Sequence, residues 1–393
     1  MTIYLQDVGL LCALGCGVPA VRTALMSEQR PRSLTETADY SPGRRLHLGV
    51  VLSPLPDVGW QPANHQTRNN AMLWATALQI KPAIDAAVAR FGPGRVAVVL
   101  GTSTSGLPEG EAARAQFETT GTWPAGFNYA MQELGNPAEA LAFALGLKGI
   151  AHVISTACSS GAKALASGAR LIQAGLADAV IAGGSDVLGA FTVAGFSALE
   201  SVSPEPCNPL SAHRSGINLG EGAALFLMGR DPGPVRLAGW GETSDAHHMS
   251  APDPSGQGAI RAMRAAIARA GILPADVGYL NLHGTATPHN DAMESLAVAE
   301  VLGTGVPVSS TKPMTGHTLA AAGAIEAAFS WMTLVDNPLG QLPPHWWDRM
   351  PDPALPPLAV VEPGDRLGRC LHYVMSNSFA FGGSNVSLLL GRA

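Results

Sequence analysis

The chain has 393 residues, 47% of them hydrophobic and only 14% charged, with 45 glycines, 30 prolines and a net charge of −6. This composition belongs to a globular protein with much buried surface and many tight turns, and excludes a disordered or fibrous chain. The negative charge argues against nucleic acid as the main ligand, because binding phosphates needs a basic face.

Apolar runs are broken by Gly, Pro or charge well short of the roughly 20 residues a membrane helix needs, so no membrane span is expected. The opening MTIYLQDVGLLCALGCG lacks a basic start and carries Asp7 inside its apolar stretch, so no signal peptide is expected. Five scattered cysteines without a CxxC pair fit a reducing cytoplasm. Of these, Cys12, Cys16, Cys207 and Cys370 read as small buried or half-buried hydrophobes, Cys370 on a strand.

Along the chain, Asn70 to Phe91 carries apolar residues at helical spacing. RVAVVLGTSTSG (Arg95–Gly106) reads as an apolar strand running into a Gly/Ser/Thr turn, which lacks the pattern of a phosphate loop. Ser105 to Ala140 is less periodic and reads as a cap or dimer-contact insertion. In ISTACSSGAKALASGARLIQAG (Ile154–Gly175) a β-branched run gives way to an Ala/Gly-rich helix over Ser160–Ala174. Cys158 sits at that junction among small residues. His247 and His248, beside Asp245, point in different directions and have no third ligand nearby, so they read as a polar gating loop rather than a metal site. A further helix spans Gly256–Ala270.

The second part repeats the first. VGYLNLHGTATP (Val277–Pro288) restates the Arg95–Gly106 phrase with His283 added, and TKPMTGHTLAAAGAIEAAFSWMTL (Thr311–Leu334) parallels the Cys158 segment. That parallel segment brings His317 near the start of a second small-residue helix, Thr318–Phe329. GGSNVSLLLGR (Gly382–Arg392) echoes GEGAALFLMGR (Gly220–Arg230). Three phrases recurring in order predict a duplicated domain, with halves 1–231 and 232–393, and strands alternating with helices predict α/β layers. LPPHWWDRMPDPALPP (Leu342–Pro357) reads as a Pro-rich surface loop anchored by Trp346 and Trp347.

A helix start lowers a thiol's pKa, and its free N–H groups can receive an oxyanion, while small neighbours admit a bulky thioester. Taken alone, the Cys158 segment fits a buried structural cysteine equally well. The duplication favours a nucleophile, because a pseudo-twofold axis would bring Cys158, His283 and His317 together.

Four segments in matching order and spacing, TACSSGAKAL, HGTATPHNDAMES, KPMTGHTLAAAGAIEA and NSFAFGGSN, resemble the signatures of β-ketoacyl-acyl-carrier-protein synthases of the I/II type, in the thiolase superfamily. RTALM, TRNNAMLWA and SDAHHMSAP resemble most the ketosynthases of bacterial aryl-polyene gene clusters. The resemblance implies a five-layered α-β-α-β-α fold of two pseudo-symmetric halves with the two small-residue helices at its centre. It implies decarboxylative condensation of malonyl-carrier protein with an acyl chain held on Cys158, elongating a fatty acyl, polyene or polyketide chain. The N–H groups of Cys158 and Phe381 would form the oxyanion hole. His283 and His317, neutral Nε2–H donors, would hold the malonyl enolate. Lys312 would maintain the hydrogen-bond network with Glu294.

By the same resemblance, Thr285 and Thr287 would bind a phosphopantetheine arm that arrives on the carrier, so neither a resident cofactor nor a metal is expected. Phe381 would be the gate, and Thr104 would bound the acyl pocket. The implied partners are an acyl carrier protein and an identical or related second subunit, paired along an exposed strand edge at Ala151–Ser155. Two departures stand out. Ala380 occupies a place where the gate often has Gly, which should alter the hinge. Basic residues for carrier docking are sparse: Arg68 matches one, but Asn69 and Asn70 follow it, and Arg214 reads as a structural ion pair. A non-catalytic chain-length-factor subunit is the alternative, against which the intact Cys158, His283 and His317 argue. A thiolase would need a second cysteine, for which Cys370 is poorly placed. A type III condensing enzyme would have Asn at His317.

Overall fold

The computed structural model describes residues 1–393. Ten principal strands carry the fold: β1 (Tyr4–Cys12), β2 (Val96–Gly101), β3 (Ala151–Ile154), β4 (Ala179–Asp186), β5 (Gly222–Gly229), β6 (Val235–Ser244), β7 (Val277–Asn281), β8 (Pro307–Ser309), β9 (Tyr373–Ala380) and β10 (Ser384–Arg392). Their spatial order is β3-β2-β4-β5-β1 in the first part of the chain and β8-β7-β9-β10-β6 in the second. Counted from the first strand of each set, both orders read 3-2-4-5-1. The pairing senses repeat as well, with β2 parallel to β3 and β4, and β7 parallel to β8 and β9. The remaining neighbours in each set are antiparallel. The two sets join only where Tyr4 and Leu5 of β1 meet Arg236 and Val235 of β6.

Helices α1 (Arg68–Gln79) and α2 (Asn136–Ala144) cover the outer face of the first set, and α4 (Gln257–Ala270) and α5 (Pro288–Leu302) that of the second. Between the sheets lie α3 (Ser160–Gln173) and α6 (Ala322–Leu334), which pack on each other. This is the five-layered thiolase-like arrangement. Every residue of α6 is buried, which only a helix of small and apolar side chains tolerates. Small residues also set its distance from α3. A Cβ on Gly161 would lie 2.8 Å from the Ala320 carbonyl oxygen and 3.0 Å from Ala324 Cβ, and one on Gly323 would lie 2.8 Å from Ala162 Cβ, so the helices meet glycine against alanine.

Several expectations need correction. The Asn70–Phe91 helix is two helices, Arg68–Gln79 and Lys81–Phe91, divided at Ile80 because Pro82 lacks the N–H that a continuous helix needs. The less periodic segment Ser105 to Ala140 carries a helix at Leu107–Thr120, which sequence reading did not place. Cys16 is exposed, and Cys370 lies in irregular chain ahead of β9. The Pro-rich stretch begins inside the protein: Leu342–His345 are buried, Trp346 and Trp347 half-buried, and the surface is reached only at Asp348. The edge expectation stands differently. Strand β3 ends the sheet with its outer side unpaired and all four residues half-buried.

Adding a methyl at the central helix contact should be costly. Gly161→Ala is expected to destabilise the protein by about 1–3 kcal/mol, because the atoms it meets are backbone and an alanine Cβ, none of which can swing aside. Chemical denaturation measures this, and an unchanged midpoint would show that the helices can separate freely.

Candidate active site

Cys158 stands on an elbow between β3 and α3. Ala157, just before it, has φ +52°, a left-handed conformation that costs an L-residue about 1–2 kcal/mol. The local hydrogen bonds hold it there. Ser160 Oγ accepts the Thr156 N–H at 2.8 Å and donates to the Ala157 carbonyl at 2.6 Å, while Ser159 Oγ donates to the Thr156 carbonyl at 2.8 Å. Leu319, at the equivalent distance ahead of Gly323, has φ +50°, so the second half builds the same bend.

His317 lies two residues before that second bend. Its own N–H bonds the Asn218 carbonyl at 2.6 Å and its carbonyl accepts the Gly220 N–H at 3.0 Å, which fixes its backbone to the end of the first half. Its Nε2 is 3.0 Å from Cys158 Sγ. The His283 and His317 rings meet edge to face, with centroids 5.4 Å apart. Thus the structure brings the expected thiol and both imidazoles into one place, with all three buried.

The electrostatics differ in part from expectation. Burial pushes the Cys158 thiol up to about 12, opposed by Lys312 and by the backbone N–H groups of Cys158 and Phe381 that point at the sulfur. The expected lowering by the helix start is therefore outweighed in the resting site. Burial, reinforced by Lys312 and His317, holds His283 well below its ordinary value; burial and Lys312 do the same for His317. Both rings are neutral.

Lys312 corrects the sequence reading. It contacts Glu326, not Glu294: Nζ lies 2.5 Å from Glu326 Oε1, donates to the His283 carbonyl, and is 3.4 Å from His283 Nδ1. An ammonium on Nδ1 can only donate, so the His283 proton sits on Nε2, facing the cavity. Burial pushes the Glu326 carboxyl up to about 7, and the Lys312 charge opposes it. Glu294 has a different task. It accepts the His283 and Gly284 N–H groups at 2.8 and 2.7 Å and shapes the loop that carries His283, while burial pushes it up to about 7 against those bonds.

Two cavities meet at Cys158. One, about 310 Å³, is lined by His283, Thr285, Thr287, His317 and Phe381 and opens outward. The other, about 350 Å³, runs past Thr104, Phe191 and Leu319. Cys158, Phe196, Leu199 and Phe381 line both and so form the partition. Thr285 and Thr287 share a hydrogen bond at 3.0 Å. The Thr104 hydroxyl is engaged with Asp186 and the Val187 N–H, leaving only the rest of the residue to the cavity. The sulfur and two imidazoles have ligand atoms within 4.8 Å of one another, a set that zinc would accept, but the lysine beside His283 opposes a second cation.

Ala380 has φ −105°, open to any residue; Gly382 and Gly383 take the positive φ values, so the resting shape of the Phe381 loop does not require a glycine at position 380. The Gly382 N–H bonds the Met249 carbonyl at 2.7 Å, which ties the Phe381 loop to the loop bearing His247 and His248. Arg68 is clamped by Glu221 at 2.5 Å, and Asn69 and Asn70 are buried, so none of these three positions is a free basic contact. Arg214 pairs with Asp352 at 2.6 Å, as expected of a structural ion pair.

Sequence reading missed Asp186 and Glu326. Asp186 collects Thr102, Ser103 and Thr104 and then accepts the Ala320 N–H at 2.8 Å, joining the two halves beside Cys158. Both acids had a signal: a single carboxylate in an otherwise apolar run, AVIAGGSD and GAIEAAFSW, must be paired if the run is buried.

A thiol on a strained turn, beside two neutral imidazoles and between two cavities, forms a compact candidate active site on a thiolase-like fold. Comparison with known proteins agrees. Residues 33–232 match the beta-ketoacyl synthase N-terminal domain and 235–345 the C-terminal domain, and the chain belongs to the beta-ketoacyl synthase family. It is 38% identical over 262 residues to 3-oxoacyl-[acyl-carrier-protein] synthase 2 of Staphylococcus aureus, covering 62% of this chain and 64% of that protein. The corresponding protein of Rhizobium meliloti is 37% identical over 265 residues, 63% of this chain and 62% of the relative. The chain thus spans less than two thirds of these curated relatives. Among solved structures, the ketosynthase ApeO of Xenorhabdus doucetiae, in complex with its chain length factor ApeC, superposes with a TM-score of 0.94 at 45% identity, covering all of this chain and 98% of that one. A beta-ketoacyl synthase from Burkholderia phymatum gives 0.84 at 26% identity, over 100% and 99% of the two chains.

The Lys312–Glu326 pair makes a clear stability test. Glu326→Leu strands the ammonium and should cost about 3–5 kcal/mol, whereas Lys312→Met with Glu326→Leu should recover most of it. Denaturation of the single and double variants reads this directly; equal losses in both would mean the pair is not coupled.

Proposed function

We propose that this chain condenses malonyl-carrier protein with an acyl thioester held on Cys158, releasing carbon dioxide and lengthening the acyl chain by two carbons. The observation that carries the reading is the contact of Cys158 Sγ with His317 Nε2 beside a His283 whose proton points into the same cavity.

In the first half-reaction the sulfur attacks the acyl carbonyl, and the N–H groups of Cys158 and Phe381 receive the oxyanion. The carrier's sulfur departs and takes the proton that the thiol gives up. In the second, the malonyl carboxylate leaves as carbon dioxide. The electron pair it leaves behind makes an enolate whose oxygen is held by the two imidazole N–H groups. Neutral donors suit this step, since they stabilise the anion without being consumed by proton transfer. The enolate carbon attacks the Cys158 thioester, the sulfur leaves as a thiolate and takes up a proton from solvent to restore the thiol, and the 3-oxoacyl product stays on the carrier.

The carrier's phosphopantetheine arm would enter by the cavity of Thr285 and Thr287, and the acyl chain would extend into the one bounded by Thr104. No resident cofactor is needed. We further propose a cytoplasmic dimer with a related subunit along β3, and a polyene product of the aryl-polyene kind. Supports are the unpaired β3 edge, five free cysteines, and similarity to a ketosynthase solved with its chain length factor. No helix is long and apolar enough to cross a membrane. The retained Cys158 argues against a non-catalytic subunit.

Acyl loading and release of labelled carbon dioxide test this separately. Cys158→Ala should fold yet load no acyl chain. His283→Ala and His317→Ala should each retain acyl loading and lose decarboxylation by roughly 10²–10³-fold, about 3–4 kcal/mol, with losses that do not add fully in the double variant. Normal decarboxylation in both histidine variants would end the condensation reading. The pH dependence of decarboxylation supplies a second test. Because burial lowers both histidines, they stay neutral as pH falls through 6.5, and the rate should show no acid limb there; a midpoint near 6.5 would mean the rings titrate normally.

A further inference from the structure

His345 lies outside both cavities yet is buried to 1% exposure. Its imidazole is used at both nitrogens. Nδ1 is 3.0 Å from the Ser310 backbone N–H, and Nε2 is 2.9 Å from the Pro209 carbonyl. A backbone N–H only donates and a carbonyl only accepts, so the ring is locked as the neutral Nε2–H tautomer. Burial lowers its pKa to about 4, which protects that state. Trp347 closes over it edge-on, with ring centroids 5.5 Å apart.

Each arm reaches the His283 loop. Ser310 Oγ donates to the Gly284 carbonyl at 2.7 Å, and Ser310 leads into Lys312, whose ammonium donates to the His283 carbonyl and faces Nδ1. On the other side, Leu210, next to Pro209, donates its N–H to Asp291 at 2.8 Å, and Asp291 accepts the Ala286 N–H at 3.1 Å. His345 therefore spans the two chain segments that hold residues 283–286 from opposite sides.

We propose that His345 is a positioning residue for the decarboxylation half-reaction, setting where Lys312 and the His283 ring stand without touching substrate. The proposal rests on the condensation reading above. Nothing His345 bonds reaches the Ala157 elbow or the Phe381 N–H, and Lys312 acts on the Cys158 sulfur only through its charge rather than by contact, so acyl transfer should respond far less to His345 than decarboxylation does. That separation distinguishes positioning from general support of the fold.

Two variants keep one nitrogen's role each. His345→Asn keeps an acceptor near the Nδ1 position, and His345→Gln keeps a donor near the Nε2 position while leaving the Ser310 N–H unpaired. His345→Gln should lose roughly ten- to a hundredfold in kcat for malonyl-carrier decarboxylation, since small displacements of a catalytic group carry costs of that order. Its KM and its acyl-loading rate should stay within about twofold of wild type. His345→Asn should recover most of the loss. A parallel fall in loading and decarboxylation, or no fall in either, would overturn the proposal. Should both variants fail to fold, the wild-type protein decides: ¹⁵N-histidine spectra should show His345 as the Nε2–H tautomer, and the Nδ1–H form would refute it. Wild-type protein that neither loads nor decarboxylates would instead refute the condensation reading, leaving the tautomer measurement to judge His345.

Discussion

The site depends on two helices that touch glycine to alanine. Because Gly161 and Gly323 let α3 and α6 approach with only an alanine facing each glycine, their N-terminal ends come close enough for the bend at Ala157 and the bend at Leu319 to share one space. Cys158 and His317 are neighbours as a consequence, although 158 residues of chain lie between them. Interiors are too closely packed to absorb a wider spacing at the helices and still leave Nε2 at 3.0 Å from the sulfur. Asp186 reinforces the arrangement by bonding the Ala320 N–H across the same seam.

Around that contact the protein separates charge from chemistry. The reacting groups are a thiol raised by burial and two imidazoles lowered by it, all neutral at rest. Just behind them sits a fully buried ion pair, Lys312 with Glu326. A buried pair of this kind is weak evidence for stability, because desolvation consumes much of its attraction. Its position suggests another use. The ammonium fixes the His283 tautomer from behind and depresses both rings, so the charge shapes the donors without entering the cavity where an enolate would form.

Much of this was legible in the sequence because duplication leaves a pattern. Recurrence of three phrases predicted the paired strand sets, and the Ala/Gly-rich runs identified the central helices. The trio of Cys158, His283 and His317 followed from placing two helix starts face to face. Pairing of buried charge was not legible. Glu294 and Glu326 both lie on helices near the site, and only the three-dimensional path of the Lys312 side chain decides that it reaches Glu326. Likewise, periodicity could not show that Arg68 is held by Glu221, a residue 153 positions away. Pro-rich composition suggested surface for Leu342–His345, whereas tertiary packing buries it and supplies partners for its histidine.

The clamping of Arg68 bears on how a carrier would be recognised. An arginine held by a fully buried carboxylate has spent its directional hydrogen bonds: Nε and Nη2 both reach Glu221, and Nη2 also donates to the Val51 carbonyl. What remains is a partly exposed cation whose net field is offset by its partner. Such a group steers an acidic protein weakly compared with an unpaired one. Arg68, the one position that the resemblance matched to docking, thus serves the fold instead, as Arg214 does in its expected ion pair with Asp352, and the buried Asn69 and Asn70 add no charge beside it. If a carrier docks at this mouth as proposed, recognition would lean less on these charges and more on the arm itself, for which the Thr285 and Thr287 hydroxyls are the nearest polar groups along the proposed entry.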